Sequence, residues 1–542
     1  MPCYLTILRL AVAAVLLCSV STVQAEEFRI EEVTPAHQAR KVEREPLIQL
    51  HTSTKFDPST LKPEFISLLD DEGKPVKVTI TGDLGGVITL STETPLAKNS
   101  TYTIKVTKGV KDANQQDIVP FTSRFTTGNM EIVRSNAEAF RFQKTRIDLR
   151  DGVCGLALAP GHQLFACTWD GKLIRYDVSS EQPPSGGTVL LDDDQRRYIS
   201  IVADPESTPE RTILWLTHDA LHRLSLAPND FSGSLSRVII EGDHAEVQDA
   251  IVGLPTGDHP TSGAVFGPDG RLYLSQGALT MLGEKPDWKE TPLSAAILAV
   301  DTRAPELRPG NQPLDVRTDP PRNYDHRGGP VDVFATGIRE AYDLLWHSNG
   351  QLYAGVNMND TNEKTPGKDG LPAVSVRPDE MLLRIVEGKY YGHPNPSRNE
   401  WVLLGGNPTD EIDPWEVANL PVGTRPEKNF DPSLLIRNLK DDRGPSADGV
   451  TEWTNPGPLQ GRMIICFYTA TRGLHTYKFS DDGTTVIDHQ PLMNEQSNPL
   501  TFGAPLDVVF DPRGHLYTAD FSAPERGDAG EEGGVWMVTP VE

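Results

Sequence analysis

The chain has 542 residues, more than one hydrophobic core of ordinary size organises, so two or more domains or one large repeat architecture are expected. Its 76 acidic residues outweigh 51 lysines and arginines, for a net charge of −25 that repels nucleic acid and anionic lipid. A hydrophobic content of 37% excludes disorder over most of its length.

The first segment reads as an export signal over 1–25: Arg9 precedes an almost wholly apolar run from Leu10 to Val20, and Val23-Gln24-Ala25 supplies small residues for cleavage. The run is shorter than the roughly 20 residues a bilayer span needs. No second long apolar run follows, so no membrane span is expected and the protein should be secreted, periplasmic or extracellular.

Over 26–128 short alternating segments are separated by turn residues, with no helical period. Val76 to Thr81, Val87 to Leu90, Thr101 to Val106 and Phe121 to Thr126 read as strands. About seven such strands in about 100 residues have the rhythm of an immunoglobulin-like sandwich. The order of Val33-Thr34-Pro35, Pro95-Leu96 before Thr101-Tyr102-Thr103, Gly109-Val110-Lys111-Asp112 and Phe125-Thr126-Thr127 resembles bacterial Ig-like modules of surface-layer type. That resemblance implies a spacer or a means of attachment to a cell surface.

The stretch 129–150 reads as a linker followed by an alternating strand, Phe140 to Leu149, expected to pair with the end of the chain. From 151 to 542 one unit recurs: an apolar strand, a Pro/Gly/Asn turn, a strand ending in Leu-Tyr or similar, then another strand. It appears six times, as Gly155 to Tyr176, Ile199 to Leu224, Gly263 to Val300, Asp343 to Ile385, Asp448 to Phe479 and Asp507 to Val538. Gly267-Pro268-Asp269-Gly270, Ser348-Asn349-Gly350 and Asp511-Pro512-Arg513-Gly514 mark the hairpins, since Pro presets φ and Gly accepts a positive one. The expected fold is therefore all-β: a six-bladed β-propeller behind an N-terminal Ig-like sandwich. Beyond the signal the cysteines are Cys154, Cys167 and Cys466. Cys154 and Cys167 flank Pro160-Gly161 symmetrically, which predicts a cross-strand disulfide, the alternative being two small buried hydrophobes.

Three segments carry polar groups that the repeat does not need: Asp258-His259 to Gly263, Gly337-Ile338-Arg339-Glu340 before Tyr342-Asp343-Leu344, and Asp379-Glu380 through Tyr390-Tyr391-Gly392-His393-Pro394. Over about 150 to 540 they resemble the glucose/sorbosone dehydrogenase family, quinoprotein sugar dehydrogenases built on six-bladed propellers. The resemblance implies oxidation of a sugar's anomeric hydroxyl, with hydride passing to pyrroloquinoline quinone (PQQ) beside Ca²⁺. His259 matches the family's base, a role suited to imidazole, and Asp258 would orient it. Arg339 matches an arginine on the quinone's carboxylates, and Asp379 and Glu380 match the Ca²⁺-associated stretch. The bland alternatives are a loop histidine, an Arg339–Glu340 salt bridge and a solvated blade edge. The family's other cationic positions fall on Ala504, Leu506 and Thr471, and its glutamine near Arg150, leaving Arg339, Arg472 and Arg150 for the cofactor. Two readings follow: a sugar-oxidising quinoprotein-like enzyme, or a non-catalytic extracellular propeller that binds carbohydrate or protein and has lost the cofactor cage.

Overall fold

The computed structural model describes residues 27–541 apart from 129–139, 221–229, 319–328, most of 358–379, 401–434, 440–445, 523–532 and scattered shorter gaps. The expected export signal and Asp379 lie outside the described residues.

Phe28 to Thr127 form a two-sheet sandwich. One sheet orders Ile30–Thr34, Ile48–Thr52, Val87–Thr92 and Val78–Gly82; the other orders Ala39–Val42, Phe121–Thr127, Thr101–Val106, Ile66–Leu69 and Pro75–Val76. Period-two alternation sends Ile48, Leu50, Ile88 and Leu90 inward from one sheet to meet Ile66, Leu68, Ile104 and Val106 from the other, all buried in one core. The segment Val76 to Thr81 is not one strand. Val76 pairs with Leu68 in one sheet, whereas Val78 onward pairs with Val87–Thr92 in the other, so the chain changes sheets at Lys77.

The rest of the described chain folds into six radial sheets. Their inner strands are Val153–Ala159, Arg196–Ala203, Thr261–Phe266, Leu345–Trp346, Ala447–Trp453 and Pro505–Asp511, which head blades one to six. Each inner strand neighbours the next, and the sixth neighbours the first, so the ring is closed. The Pro/Gly turns sit between inner and second strands: Gly270 and Gly514 have φ of 79° and 100°, as the turn chemistry requires. Closure uses both ends of the propeller sequence. Arg141–Leu149 is the fourth strand of blade six, antiparallel to Gly534–Pro540 and flanked outside by Met493–Asn494. Alternation lets this strand serve two interfaces: Phe142 enters the core shared with blade five, and Ile147 the core shared with blade one.

Near the axis the blades are joined by carboxylates. Asp343 accepts from Leu344 N at 2.8 Å and from Val450 N of blade five at 3.1 Å. Asp507 accepts from Val508 N at 2.7 Å and from Leu156 N of blade one at 2.7 Å. Thr217 makes the corresponding bond in the remaining third of the ring, donating to Ser262 O at 3.0 Å. Glycines admit these close approaches: a Cβ on Gly449 would lie 2.4 Å from Asp507 Cα, and one on Gly263 2.5 Å from Asp343 Cα. Tyr342 then crosses the axis from blade four, its hydroxyl donating to Cys154 O at 3.0 Å and directed also at Ile199 O at 3.2 Å. Tyr342 thereby ties the entrance of blade four to blades one and two.

The expected Cys154–Cys167 disulfide is absent. The hairpin exists, but a bulge between Val153 and Gly155 sets Gly155, and not Cys154, opposite Cys167. Both remain buried thiols in one apolar cluster, with Cys154 Sγ 3.2 Å from Gly152 O. These contacts set two expectations. Asp507→Asn turns an NH₂ group or a weaker acceptor toward backbone N–H donors and should lower stability by about 1–3 kcal/mol in chemical unfolding, whereas exposed Asp481→Asn should be neutral. Cys154, Cys167 and Cys466 should each react with a thiol reagent once the protein is unfolded without reductant, and none of them while it is folded.

Candidate functional site

In a propeller, the connections that enter the inner strands and those that join second to third strands share one face. Here that face gathers side chains from every blade around the axis. Asp258 and His259 precede the inner strand of blade three, and Arg339 and Glu340 precede that of blade four. The two connections are bonded to the intervening strand end: His259 N donates to Ala278 O at 3.0 Å, and Ala278 N donates to Arg339 O at 2.8 Å.

The side chains form one ionic network. His259 Nδ1 lies 3.0 Å from Glu340 Oε1, and its Nε2 lies 3.2 Å from Asp258 Oδ2. Arg339 Nη2 lies 3.3 Å from the same Asp258 oxygen, and Nη1 donates to Asn357 O at 3.0 Å. Arg339 therefore pairs with Asp258 on the neighbouring blade, and the Glu340 beside it in sequence pairs with the histidine. Asn357 is the hub: its amide donates to Glu340 Oε2 at 3.4 Å and Asp448 Oδ1 at 3.3 Å, while its Oδ1 accepts from Ala447 N at 2.7 Å. Burial, reinforced by Glu340 and Glu380, holds Asp448 well above the usual carboxylate range.

His259 is largely buried, with 16% of its side chain exposed. Burial alone would pull its pKa down, and Arg339 opposes its charge as well. The adjoining Glu340 and Asp258 carboxylates outweigh both, so the pKa is raised above its ordinary 6.5. Carboxylates at 3.0 Å from Nδ1 and 3.2 Å from Nε2 thus favour the charged form of the ring relative to a free imidazole, although Nε2 makes no aligned hydrogen bond.

Beyond Asp448 the collar continues with a different chemistry. Tyr468 N donates to Ser446 O at 3.0 Å, and Ser446 Oγ lies 3.4 Å from Asp448 Oδ2. Tyr468 then neighbours Phe521, with centroids 6.5 Å apart, and Phe521 meets Trp169 edge-on at 5.7 Å. Arg197 lies 4.1 Å over the Trp169 ring and is clamped by both oxygens of buried Asp219. Blades three to five thus present carboxyl groups, blades five, six and one present aromatic rings, and blade two presents the Arg197–Asp219 pair.

Of the residues singled out in the sequence, Asp258, His259 and Arg339 meet. Glu380 precedes the third strand of blade four, close enough to raise Asp448. Arg472 sits on the same face, in a left-handed turn of blade five. Arg150 precedes the inner strand of blade one on the same face, 3.3 Å from Asp148, which also accepts from Tyr176. Ala504 and Leu506 pack with Phe521 in an apolar cluster. Glu340 belongs to the second segment singled out in the sequence, whereas Asn357, Asp448 and the Trp169–Arg197–Asp219 set carry no motif of their own. Trp169, an aromatic in a turn where the repeat needs none, is the one sequence signal among them.

Comparison with known proteins bears on both parts of the chain. Residues 24–127 match the model of the bacterial Ig-like domain family. The propeller is similar to a protein from Thermus thermophilus described as a putative oxidoreductase (glucose dehydrogenase): 16% identity over 73% of this chain and 99% of that one, TM-score 0.45. It is also similar to the PQQ domain of a pyranose dehydrogenase from Coprinopsis cinerea: 12% identity over 75% and 99%, TM-score 0.46. The protein CopC from Methylosinus trichosporium is matched over 19% of this chain and 94% of its own length at 21% identity, TM-score 0.16. The search of curated proteins finds no match. The assignment of the fold rests on the blade topology itself.

The raised pKa of His259 has a stability consequence. A group whose folded pKa exceeds its unfolded value contributes fully below the unfolded value near 6.5 and loses that contribution as pH rises through the folded one. The melting temperature of the wild type should therefore fall more steeply above pH 6.5 than that of His259→Gln, as followed by calorimetry across about pH 6 to 9, a window of roughly the reach of a raised His pKa. Parallel curves would remove the ion-paired assignment.

Proposed function

We propose that the funnel binds a sugar or glycan without oxidising it, in an exported propeller whose Ig-like module attaches it to a cell surface. The observation that carries this reading is the internal neutralisation of the family-like groups. Asp258 and Asn357 O engage Arg339, and Glu340 and Asp258 engage His259.

PQQ is a tricarboxylate and calls for several cations free to turn toward it. The residues here do not fit it. Ala504 and Leu506 are apolar and packed, Thr471 is neutral, Arg150 is paired with Asp148, and Glu340 adds a carboxylate beside His259. For Ca²⁺, no group of three or more metal-ligating side chains is assembled among the described residues, and Asp379 lies outside them. Among the described residues no helix is long and apolar enough to cross a membrane, which is compatible with export.

A second reading, the Ca²⁺- and PQQ-dependent oxidation of an aldose, is favoured by the meeting of Asp258, His259 and Arg339 from two blades. The two are separated by adding PQQ and Ca²⁺ to the purified protein and following both dye reduction with a panel of aldoses and thermal stability. Binding predicts neither signal, together with retention of carbohydrate on a glycan array. Dye reduction that His259→Ala lowers by about 10²- to 10⁴-fold would establish the oxidation of an aldose instead.

A further inference from the structure

We infer that Glu290 is a positioning residue. With Ser294, His393 and Arg398 it forms a buried anchor from which both halves of the Asp258–Arg339 pair are hung, and it thereby sets the distance at which Asp258 meets His259. The inference concerns how the network is held, and it stands whether the funnel binds its ligand or oxidises it.

The Tyr390-Tyr391-Gly392-His393-Pro394 segment, the third that the sequence marks as surplus to the repeat, carries the histidine of this anchor. After the third strand of blade four the chain runs along the outer edge of blade three, where Tyr390 bridges to Thr336 and His393 N donates to Gly337 O at 2.8 Å. His393 thus enters the connection between the second and third strands of blade three. Its Nε2 lies 3.2 Å from Glu290 Oε1, and no more than 1% of either side chain is exposed. Four further donors converge on the same carboxylate: Leu279 N at 3.1 Å, Thr280 N at 2.9 Å, and the hydroxyls of Thr280 and Ser294, each at 2.5 Å. Burial by itself would raise the Glu290 pKa, but the His393, Ser294 and Thr280 donors outweigh it and hold it below the ordinary carboxylate range. A buried carboxylate with a full set of donors is fixed in place, since each donor it released would be left without a partner.

Asp258 hangs from one side of this anchor. Its N–H donates to Leu279 O at 3.2 Å, and Leu279 N is one of the Glu290 donors. Arg339 hangs from the other. Gly337 N and Ile338 N, immediately before it, both donate to Ala295 O, at 2.9 and 3.2 Å. Ala295 has a left-handed φ of 51°, which a residue with a side chain keeps only when its surroundings over-determine it. Arg398 provides that constraint, donating to the carbonyls of Pro292, Ser294 and Ala295 at 3.0, 2.6 and 3.2 Å while Glu400 meets its charge at 2.9 Å. Asn395 adds a bond to Thr291 O at 2.9 Å. Loss of reach at Glu290 would free Leu279, and Asp258 with it, whereas Arg339 would keep its bond to Asn357 O.

The test is the His259 imidazole pKa in the full chain, followed through histidine side-chain NMR signals across about pH 5 to 9 and assigned with His259→Gln. Asp258, Glu340 and Arg339 are the charges beside the ring. Glu290→Asp keeps the negative charge and shortens its reach by a methylene, so any Coulombic effect on His259 persists while positioning is lost. As Asp258 withdraws and Arg339 stays, the pKa should fall toward the ordinary 6.5 by at least about half a pH unit. Ser294→Ala, which removes one donor, should move it the same way by less. Asp511→Asn, a buried carboxylate paired with Arg513 at the far end of an inner strand, should lower the melting temperature and leave the His259 pKa where it was. Glu290→Asp and Ser294→Ala proteins that melt lower yet keep the wild-type His259 pKa would overturn the inference, because the anchor would then support the fold without setting the pair. If Glu290→Asp does not fold, Ser294→Ala decides between the same two results.

Discussion

The carboxylates near the axis set the geometry on which the rest of this molecule depends. A radial array of sheets has a weak point at its centre, where inner strands diverge and the backbone amides at their entrances lack ladder partners. Asp343 and Asp507 supply those partners twice over, each bridging its own blade and the next one round the ring. Gly263 and Gly449 are small because an aspartate's backbone lies against them. With the entrances pinned in this way, the connections that precede the inner strands are held on one face, those of blades three and four through the strand end at Ala278, and Tyr342 ties blade four to blades one and two.

On that face the distribution of charge decides what chemistry is open. Arginine and histidine in a polar funnel invite an anionic cofactor and a general base when they are free to turn toward a ligand. Here their charges are already met within the protein, by carboxylates contributed across the blade boundary. Buried pairs of this kind contribute little net stability, because desolvation offsets the attraction. Their effect lies elsewhere: they fix side-chain orientation. The aromatic arc opposite is neutral at its surface, since the Arg197 charge is met by Asp219.

Several features were legible in the residues because they depend on local chemistry. The tetrad Gly267-Pro268-Asp269-Gly270 encodes a turn by φ alone, and the alternation of Phe140 to Leu149 encodes a strand. Where a local rule competes with packing, it gave the wrong detail. Val76 to Thr81 alternates as one strand, yet the sandwich divides it because its two ends face different sheets. Cys154 and Cys167 are symmetric in sequence, and a single bulged residue removes them from register. Arg339 and Glu340 are adjacent in sequence and so suggest a pair, but successive side chains on an extended connection diverge, and each finds its partner elsewhere.

By itself the sequence determined the two-part plan, the number of blades, their order and the turns between their strands, since each follows from a periodicity or a residue type read within a few positions. It also marked Asp258, His259 and Arg339 as polar groups surplus to the repeat. Only the tertiary structure decided what those groups do to one another. Asp258 lies 81 positions from Arg339, Trp169 sits on a different blade from both Phe521 and Arg197, and no spacing rule relates such residues before the ring has closed. A histidine's proton affinity is set by the charges that closure brings to it, and for His259 those charges are two carboxylates and an arginine.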